Sequence, residues 1–131
     1  MMNTVDSSCW LEYLAGTATG ELVAEVIEDT KNLVVPTITL YEVFNKLLVE
    51  RDEDSALLVA AHMKQGKVVV LDADLSILAA RIGKDCKLPL ADSIIYACSR
   101  QMNSTLWTQD SHFEGLESVR YLPKHSSHSQ K

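Results

Sequence analysis

Four acidic residues stand at the ends of short apolar runs or early in helical runs, where they could form a common site. They are Asp6, Glu42, Asp92 and Asp110. Carboxylates that lie close together repel one another, and they stay ionised at neutral pH only if hard cations lie among them. No histidine or cysteine stands at ligand spacing beside them, so the pattern predicts Mg²⁺ or Mn²⁺ rather than zinc.

Each of these acids also has an ordinary structural explanation. Asp6 precedes the helical run CWLEYL and could cap it, while Thr39 and Glu42 fit the S/T-x-x-E capping box of a helix start. Asp92 opens the helical run ADSIIYACSRQ, where a negative charge gains from the helix dipole. Asp110 ends a β-rich run and could form an Asx turn. Taken singly, none of the four requires a catalytic role.

Two further acids end the apolar run VVVL and compete for the same region. Asp74 fits the N-cap of a helix that starts at Leu75, which is its simpler explanation. Asp72 stays open as an outer member of a metal site.

Short β-rich runs alternate with longer helical runs, which is typical of an α/β domain. The expected strands are Thr4-Val5, Leu33 to Val35, Val68 to Leu71, Leu106 to Thr108 and Val119 to Tyr121. The expected helices cover 9–15, 20–30, 38–51, 53–65, 74–86 and 91–102, with Pro36 and Pro89 marking breaks before two of them. These elements predict one domain with a mainly parallel central sheet of four to five strands, flanked by helices.

The expected sheet would bring the four acids together. In an open parallel sheet with right-handed crossovers, the strand C-termini and the following helix N-termini lie along one edge, where ligands bind. Asp6 and Asp110 end strands, and the other two acids open helices that follow the strand layer. We therefore expect all four at one edge.

Size and cysteine content indicate one domain in a reducing compartment. With 131 residues, of which 47% are hydrophobic, the chain can bury one core without disulfides. Cys9, Cys86 and Cys98 fit neither a disulfide framework nor a zinc pattern, so we expect small buried hydrophobic residues. The last nine residues, PKHSSHSQK, have nothing apolar to bury, so we expect a domain over 1–122 and a disordered polar tail over 123–131.

The net charge of −6 excludes a protein that holds nucleic acid mainly through a basic surface. A nucleic-acid substrate would need cations and a few basic side chains, for which the candidates are Lys46, Arg51, Lys84, Lys87 and Arg100. The N-terminus lacks a signal-peptide pattern, and no apolar run is long enough to span a membrane. We expect a soluble, cytoplasmic protein without membrane contact.

Four segments, in this order, resemble the PIN-domain ribonucleases, and most closely the VapC-type toxins of toxin–antitoxin pairs. They are VDSS at 5–8, ITLYEVFNKL at 38–47, LPLADSIIYA at 88–97 and TQDSHF at 108–113, and the resemblance spans nearly the whole chain to about Leu122. One position departs from the family pattern. Family members often carry a second acid two residues after the position of Asp110, where this chain has His112, which we expect to be a loop histidine.

The resemblance implies a single PIN-like domain whose metal site is formed by Asp6, Glu42, Asp92 and Asp110, with the hydroxyls of Ser8 and Thr108 beside it. It implies that Asp6, Asp92 and Asp110 ligate Mg²⁺ or Mn²⁺ directly and that Glu42 either ligates or orients the attacking water. It also implies endonucleolytic cleavage of RNA that leaves a 5′ phosphate and a 3′ hydroxyl.

Two other functional classes stay open. A phosphatase of the haloacid-dehalogenase type also begins with a strand that ends in Asp, but its acid/base Asp two residues later is replaced here by Ser8. A catalytically inactive PIN-like or receiver-like module would use the acidic edge for binding alone, and only an activity assay separates it.

The toxin resemblance implies an antitoxin that restrains the nuclease. The stretches Leu11 to Leu14 and Leu47 to Leu58 carry more apolar residues than one core-facing stripe uses, so we expect an exposed groove beside the acidic edge. An antitoxin helix or strand could fill this groove, with a basic residue reaching the carboxylates in place of metal. We expect a homodimer that binds a short DNA-binding antitoxin.

Overall fold

Five parallel strands form the central layer of the computed structural model, which describes residues 1–124. They are β1 (Met2–Val5), β2 (Leu33–Pro36), β3 (Lys67–Val69), β4 (Ser104–Thr108) and β5 (Val119–Tyr121). Their order across the sheet is β3-β2-β1-β4-β5, and every neighbouring pair is parallel. The predicted α/β class and the predicted parallel sheet of four to five strands are confirmed.

Six helices flank this sheet, one for each helical run expected from the sequence. They are α1 (Ser7–Ala15), α2 (Ala18–Glu28), α3 (Thr37–Glu50), α4 (Glu53–Met63), α5 (Ala73–Cys86) and α6 (Leu90–Gln101). Pro36 and Pro89 occupy the N-cap positions of α3 and α6, so each stands directly before a helix, as expected. The expected helix boundaries differ from those in the structure by no more than two residues at either end of any helix.

The core lies on both faces of the sheet because its middle strands are covered by helices on either side. In β2, Leu33 and Val35 pack into the cluster that contains Trp10, whereas Val34 packs into the cluster that contains Ala97. Successive side chains of a strand point to opposite faces, so a strand buried on both faces reads as a continuous apolar run. This arrangement explains why LVV, and not an alternating pattern, marks β2.

Two capping predictions are wrong. Helix α3 begins at Thr37, so Thr39 lies inside the helix, and its buried Oγ1 has no hydrogen-bond partner among residues 1–124. Thr39 and Glu42 therefore do not form a capping box. At α5 the N-cap is Asp72, whose carboxylate accepts a 2.8 Å hydrogen bond from the Leu75 amide, while Asp74 lies in the first turn.

A close approach between α5 and α6 fixes the start of α6. A Cβ atom at Gly83 would lie 2.9 Å from Cβ of Ser93, which is closer than two carbon atoms can pack. Glycine therefore allows α5 to lie directly against the first turn of α6, which carries Asp92.

The cysteines are free thiols, with Cys9 and Cys98 buried and Cys86 half-buried. None of the helices described between residues 1 and 124 combines the length and apolar character needed to cross a membrane. The expected tail over 123–131 lies outside the described residues from position 125 onward.

Candidate functional site

A cavity of about 760 Å³ opens at the carboxyl ends of β1 and β4, and we call it the acidic cavity. All four candidate acids line it, although they are as far apart in sequence as Asp6 and Asp110. The other residues that line it are Ser7, Ser8, Leu11, Lys46, Ile95, Gln109, Ser111, Tyr121, Pro123 and Lys124. Asp72 and Asp74 do not line it in the described part of the chain.

Asp6 combines a capping role with a place in the cavity. It is the N-cap of α1, and its Oδ1 accepts a 3.1 Å hydrogen bond from the Ser8 amide. Its Oδ2 accepts a 2.5 Å hydrogen bond from the Thr108 hydroxyl. Burial raises the pKa of Asp6 above its usual value, and these two hydrogen bonds offset part of that rise. The two explanations of Asp6, cap and site residue, are therefore compatible.

Glu42 reaches the cavity from α3 and is held there by α1. The hydroxyl of Ser7 donates a 2.5 Å hydrogen bond to Oε1 of Glu42, and Ser7 itself is buried. Because the two residues belong to different helices, this contact fixes how α3 presents its carboxylate to the cavity.

Asp92 and Asp110 lie close together, with the imidazole of His112 between them. Nδ1 of His112 is 3.1 Å from Oδ2 of Asp92 and 3.0 Å from Oδ1 of Asp110. The same Asp110 oxygen accepts a 2.9 Å hydrogen bond from the His112 amide, which is the predicted Asx turn. One ligand atom from each of these three residues lies within 4.8 Å of the others, so the three could hold a metal ion.

The two carboxyl groups behave as an interacting pair. Burial raises the pKa of Asp92 to about 7, with further contributions from its hydrogen bond to Asp110 and from the charges of Asp110 and Asp6. Burial would also raise the pKa of Asp110, but hydrogen bonds from the His112 amide and from Asp92 outweigh it, and the pKa of Asp110 is lowered. The charge of Asp110, followed by the hydrogen bond to Asp92, raises the pKa of His112. The pair therefore keeps a proton near neutral pH unless another positive charge replaces it.

His112 belongs to this group, although the sequence predicts a loop histidine and no histidine at ligand spacing. The structure brings its ring to both carboxylates. The D-x-H spacing after β4 signals the proximity of His112 to Asp110, since the Asp of an Asx turn binds the backbone two residues on. The contact of His112 with Asp92 has no local signal. Ser7, which holds Glu42, is likewise not among the predicted site residues.

The donor set of the acidic cavity fits a divalent cation. Carboxylate oxygens are the preferred ligands of Mg²⁺ and Mn²⁺, and an imidazole nitrogen is accepted by transition metals. The Oγ atom of Ser8 is buried beside these acids and has no hydrogen-bond partner within residues 1–124. An unsatisfied buried hydroxyl is costly, so it favours a further polar ligand such as metal-bound water at this place.

Five basic residues are candidates for contacts with a nucleic-acid substrate, and all lie within the described residues. Of these five, only Lys46 lines the acidic cavity. Lys46 lines it and also forms a 2.7 Å ion pair with Glu50, one turn along α3. Arg100 is instead bound to Glu117 and Ser118. Lys124, which the sequence analysis did not select, lines the cavity with Lys46. Of the residues described, Arg51, Lys84 and Lys87 do not line it.

An apolar groove lies between α3 and α4, where the stretch Leu47 to Leu58 predicts exposed hydrophobic residues. Among residues 1–124 it shares no lining residue with the acidic cavity, and none of Leu11 to Leu14 lines it, so the predicted place beside the acidic edge is wrong. Its volume is about 410 Å³, and its lining consists of Thr37, Leu40, Tyr41, Phe44, Asn45, Leu48, Leu57, Ala60 and Lys64. Tyr41 is 67% exposed and Leu57 50% exposed, so these large side chains are available to a partner.

Comparison with known proteins gives a family and a fold. A family model described as PIN domain matches residues 4–118. A chain of a toxin–antitoxin complex from Klebsiella pneumoniae superposes with a TM-score of 0.79 at 17% identity, covering 95% of this chain and 99% of that one. For FitAcB from Neisseria gonorrhoeae the TM-score is 0.71 at 18% identity, covering 95% and 100%. For DNA-bound VapBC from Salmonella typhimurium it is 0.68 at 16% identity, covering 94% and 98%. No curated protein sequence gives a significant match.

Proposed function

The chain belongs to the PIN domain family, and on that premise we propose that it is a metal-dependent endoribonuclease and the toxin of a type II toxin–antitoxin pair. The observation that carries this proposal is the convergence of Asp6, Glu42, Asp92 and Asp110 on one open cavity. Such a cluster has no structural use that requires all four acids, because any one would serve as a cap or a turn residue.

We assign Asp6, Asp92 and Asp110 as ligands of Mg²⁺ or Mn²⁺, and Glu42 as a further ligand or as the group that orients the attacking water. When bound, the cation supplies positive charge to the phosphate and lowers the pKa of a water molecule that becomes the nucleophile.

The surrounding residues prepare the carboxylates for this task. Thr108 and the Ser8 amide stabilise the ionised form of the buried Asp6 through the hydrogen bonds described above. Ser7 holds one oxygen of Glu42 and leaves the other oxygen of the same carboxylate for water or metal. Asp92 has a pKa of about 7 and must release its proton before it can ligate a cation.

The substrate surface extends beyond the acidic cavity. A second cavity of about 550 Å³ adjoins it and shares Lys46, Gln109 and Lys124 with it. It continues to Thr17 and Ala18 at the N-terminus of α2, where helix dipoles favour negative charge. We assign Lys46 and Lys124 as contacts for RNA phosphates near the scissile bond, because both line the acidic cavity and the second cavity. Few such contacts suffice, because the metal supplies most of the positive charge.

The direct test is RNA cleavage by the purified chain. Structured RNA is incubated with the wild type and with Asp92→Asn, with and without Mg²⁺ or Mn²⁺, and products are resolved by their end groups. Asp74→Asn is the matched control, because it removes one carboxylate outside the acidic cavity. We expect products with a 5′ phosphate and a 3′ hydroxyl from the wild type and from Asp74→Asn only. Lack of cleavage under all metal conditions would favour an inactive binding module.

We assign the apolar groove between α3 and α4 to a cognate antitoxin. Its lining is mostly apolar, and exposed Leu48 and Leu57 would favour an amphipathic helix or an extended segment. One of the similar structures is described as a toxin–antitoxin complex. A basic residue of the partner could bind the carboxylates of the acidic cavity and exclude the metal. We further assign the chain to the cytoplasm, as a homodimer.

A further inference from the structure

The turn that carries His112 is held in place from both sides. Asp110 accepts the hydrogen bond from the His112 amide, and Phe113, the next residue, is fully buried. The Phe113 ring packs against Tyr96, with 6.1 Å between ring centroids. The backbone of His112 is therefore held in place on both sides, although the His112 side chain itself is 55% exposed.

We propose that His112 is a direct ligand of the catalytic cation through Nδ1, and that this nitrogen makes the centre favour Mn²⁺ over Mg²⁺. The proposal rests on the proposed function and deepens it by naming the metal preference.

The distances at His112 match those between neighbouring ligands of one ion. Ligands at right angles around a cation with bonds of about 2.1 Å lie about 3 Å apart. Nδ1 of His112 lies 3.1 Å from the nearer Asp92 oxygen and 3.0 Å from the nearer Asp110 oxygen. The ring nitrogen therefore already lies at the distance from both carboxylates that ligands of one ion would have.

The donor type then determines which cation binds best. Mg²⁺ is a hard ion that strongly prefers oxygen ligands and keeps its waters, so it gains little from an imidazole. Mn²⁺ accepts carboxylate oxygens and imidazole nitrogen together, and zinc does so still more strongly. An aspartate at the same position would give an all-oxygen set, which favours Mg²⁺.

The alternative is that His112 only hydrogen-bonds Asp92 and Asp110 from outside the coordination sphere. The variants His112→Asp and His112→Gln separate these roles. The first restores an acid, and the second keeps a side chain that can hydrogen-bond without offering an imidazole nitrogen. The chain has three other histidines, two of them, His125 and His128, near the C-terminus. A control with both changed to Gln removes their contribution to metal binding.

The experiment measures Mn²⁺ and Mg²⁺ affinity by calorimetry and detects directly bound nitrogen by pulsed electron paramagnetic resonance of Mn²⁺. We expect a ¹⁴N coupling in the wild type and in the His125→Gln, His128→Gln control, and its loss in both His112 variants. The ratio of Mn²⁺ to Mg²⁺ affinity should fall by about tenfold in His112→Asp, because this change replaces a nitrogen ligand, from which Mg²⁺ gains little, with a carboxylate oxygen.

The result separates this inference from the proposed function. RNA cleavage with Mn²⁺ but no nitrogen coupling in the wild type would overturn the ligand assignment and leave the nuclease proposal intact. Nitrogen coupling that depends on His112 without any RNA cleavage would support the ligand assignment and contradict the nuclease proposal. Absence of Mn²⁺ binding to the folded wild type would overturn the inference.

Discussion

The hydroxyl of Thr108, at the end of β4, donates a 2.5 Å hydrogen bond to Oδ2 of Asp6, at the end of the neighbouring strand β1. The same Oγ1 accepts a 2.9 Å hydrogen bond from the Asp110 amide. The buried hydroxyl of Thr108 therefore connects Asp6, which lies 102 residues earlier in the chain, with the loop that carries Asp110. Two parallel strands that pair side by side make this possible, because Val5 lies in register with Trp107.

Thr108→Val should destabilise the protein and weaken metal binding. Valine keeps the shape of threonine but leaves the buried Asp6 carboxylate without one donor, which costs about 1–3 kcal/mol. Urea unfolding measures the loss. Thr105→Val is the matched control on the same strand, because Thr105 is only partly buried, and it should change the free energy of unfolding by much less. Equal losses in the two variants would mean that the Thr108 hydrogen bond contributes nothing specific.

Chelation should abolish RNA cleavage, and Mn²⁺ or Mg²⁺ should restore it. Zinc at matched free concentration should not restore it, because zinc prefers tetrahedral coordination by nitrogen and sulfur ligands, whereas a carboxylate-rich set of donors suits Mg²⁺ and Mn²⁺. The measurement is cleavage rate against free metal concentration in metal buffers. Full activity in EDTA would contradict the metal mechanism.

Asp6→Asn and Asp92→Asn should each lower the cleavage rate by at least about a hundredfold, because each removes a charged metal ligand. The metal-free fold should be as stable as the wild type or more stable, since each change relieves repulsion among carboxylates. Asparagine also keeps the cap of α1 when it replaces Asp6. Parallel rate and unfolding measurements check both statements, and Asp74→Asn should keep most of the activity. If Asp74→Asn abolished cleavage while Asp6→Asn and Asp92→Asn kept it, the site would have to lie at Asp72 and Asp74 instead.

The metal-free protein should lose stability as pH rises from about 4 to about 7. The pKa of Asp92 is about 7 in the folded state, above its ordinary value of 3.8, so between these two values the folded state binds a proton that the unfolded state has released. Its contribution to stability is complete below the unfolded pKa and declines as pH rises through the folded one. His112 acts in the same direction, because the Asp110 charge raises its pKa.

Thermal unfolding in EDTA at several pH values measures this dependence. Asp92→Asn should make it shallower, because the proton-binding group and one partner of His112 are both removed. Added Mn²⁺ should restore stability at high pH, since a cation that binds only the folded state stabilises it. A flat profile for the wild type would contradict the assigned pKa of Asp92.

Expression of the wild type alone should arrest growth, and expression of Asp92→Asn should not. The chain should sediment as a homodimer and co-purify from its native host with a short DNA-binding protein that competes with metal.

Leu57→Glu should weaken that complex without lowering cleavage, because Leu57 lines the groove and is half-exposed. Leu22→Glu is the matched control, with a leucine that is 58% exposed on α2 outside the groove. A harmless, monomeric wild type without a partner would refute the toxin assignment.

The sequence by itself determined the fold class and the order of the elements. Apolar runs such as LVV in β2 and the proline breaks at Pro36 and Pro89 act locally, so they can be read without knowing what packs against them. The identity of the candidate acids also followed, because parallel topology places strand ends and helix starts at one edge.

Only the tertiary structure decided which side chains meet. Glu42 is held by Ser7, which belongs to another helix. The capping box that the local motif suggested does not form, because α3 already begins at Thr37. His112 reaches Asp92, which is 20 residues earlier in the chain, because the fold brings the turn at Asp110 against the start of α6. Contacts of this kind depend on how separate elements pack. Local sequence patterns carry no information about which side chains of two distant elements come into contact.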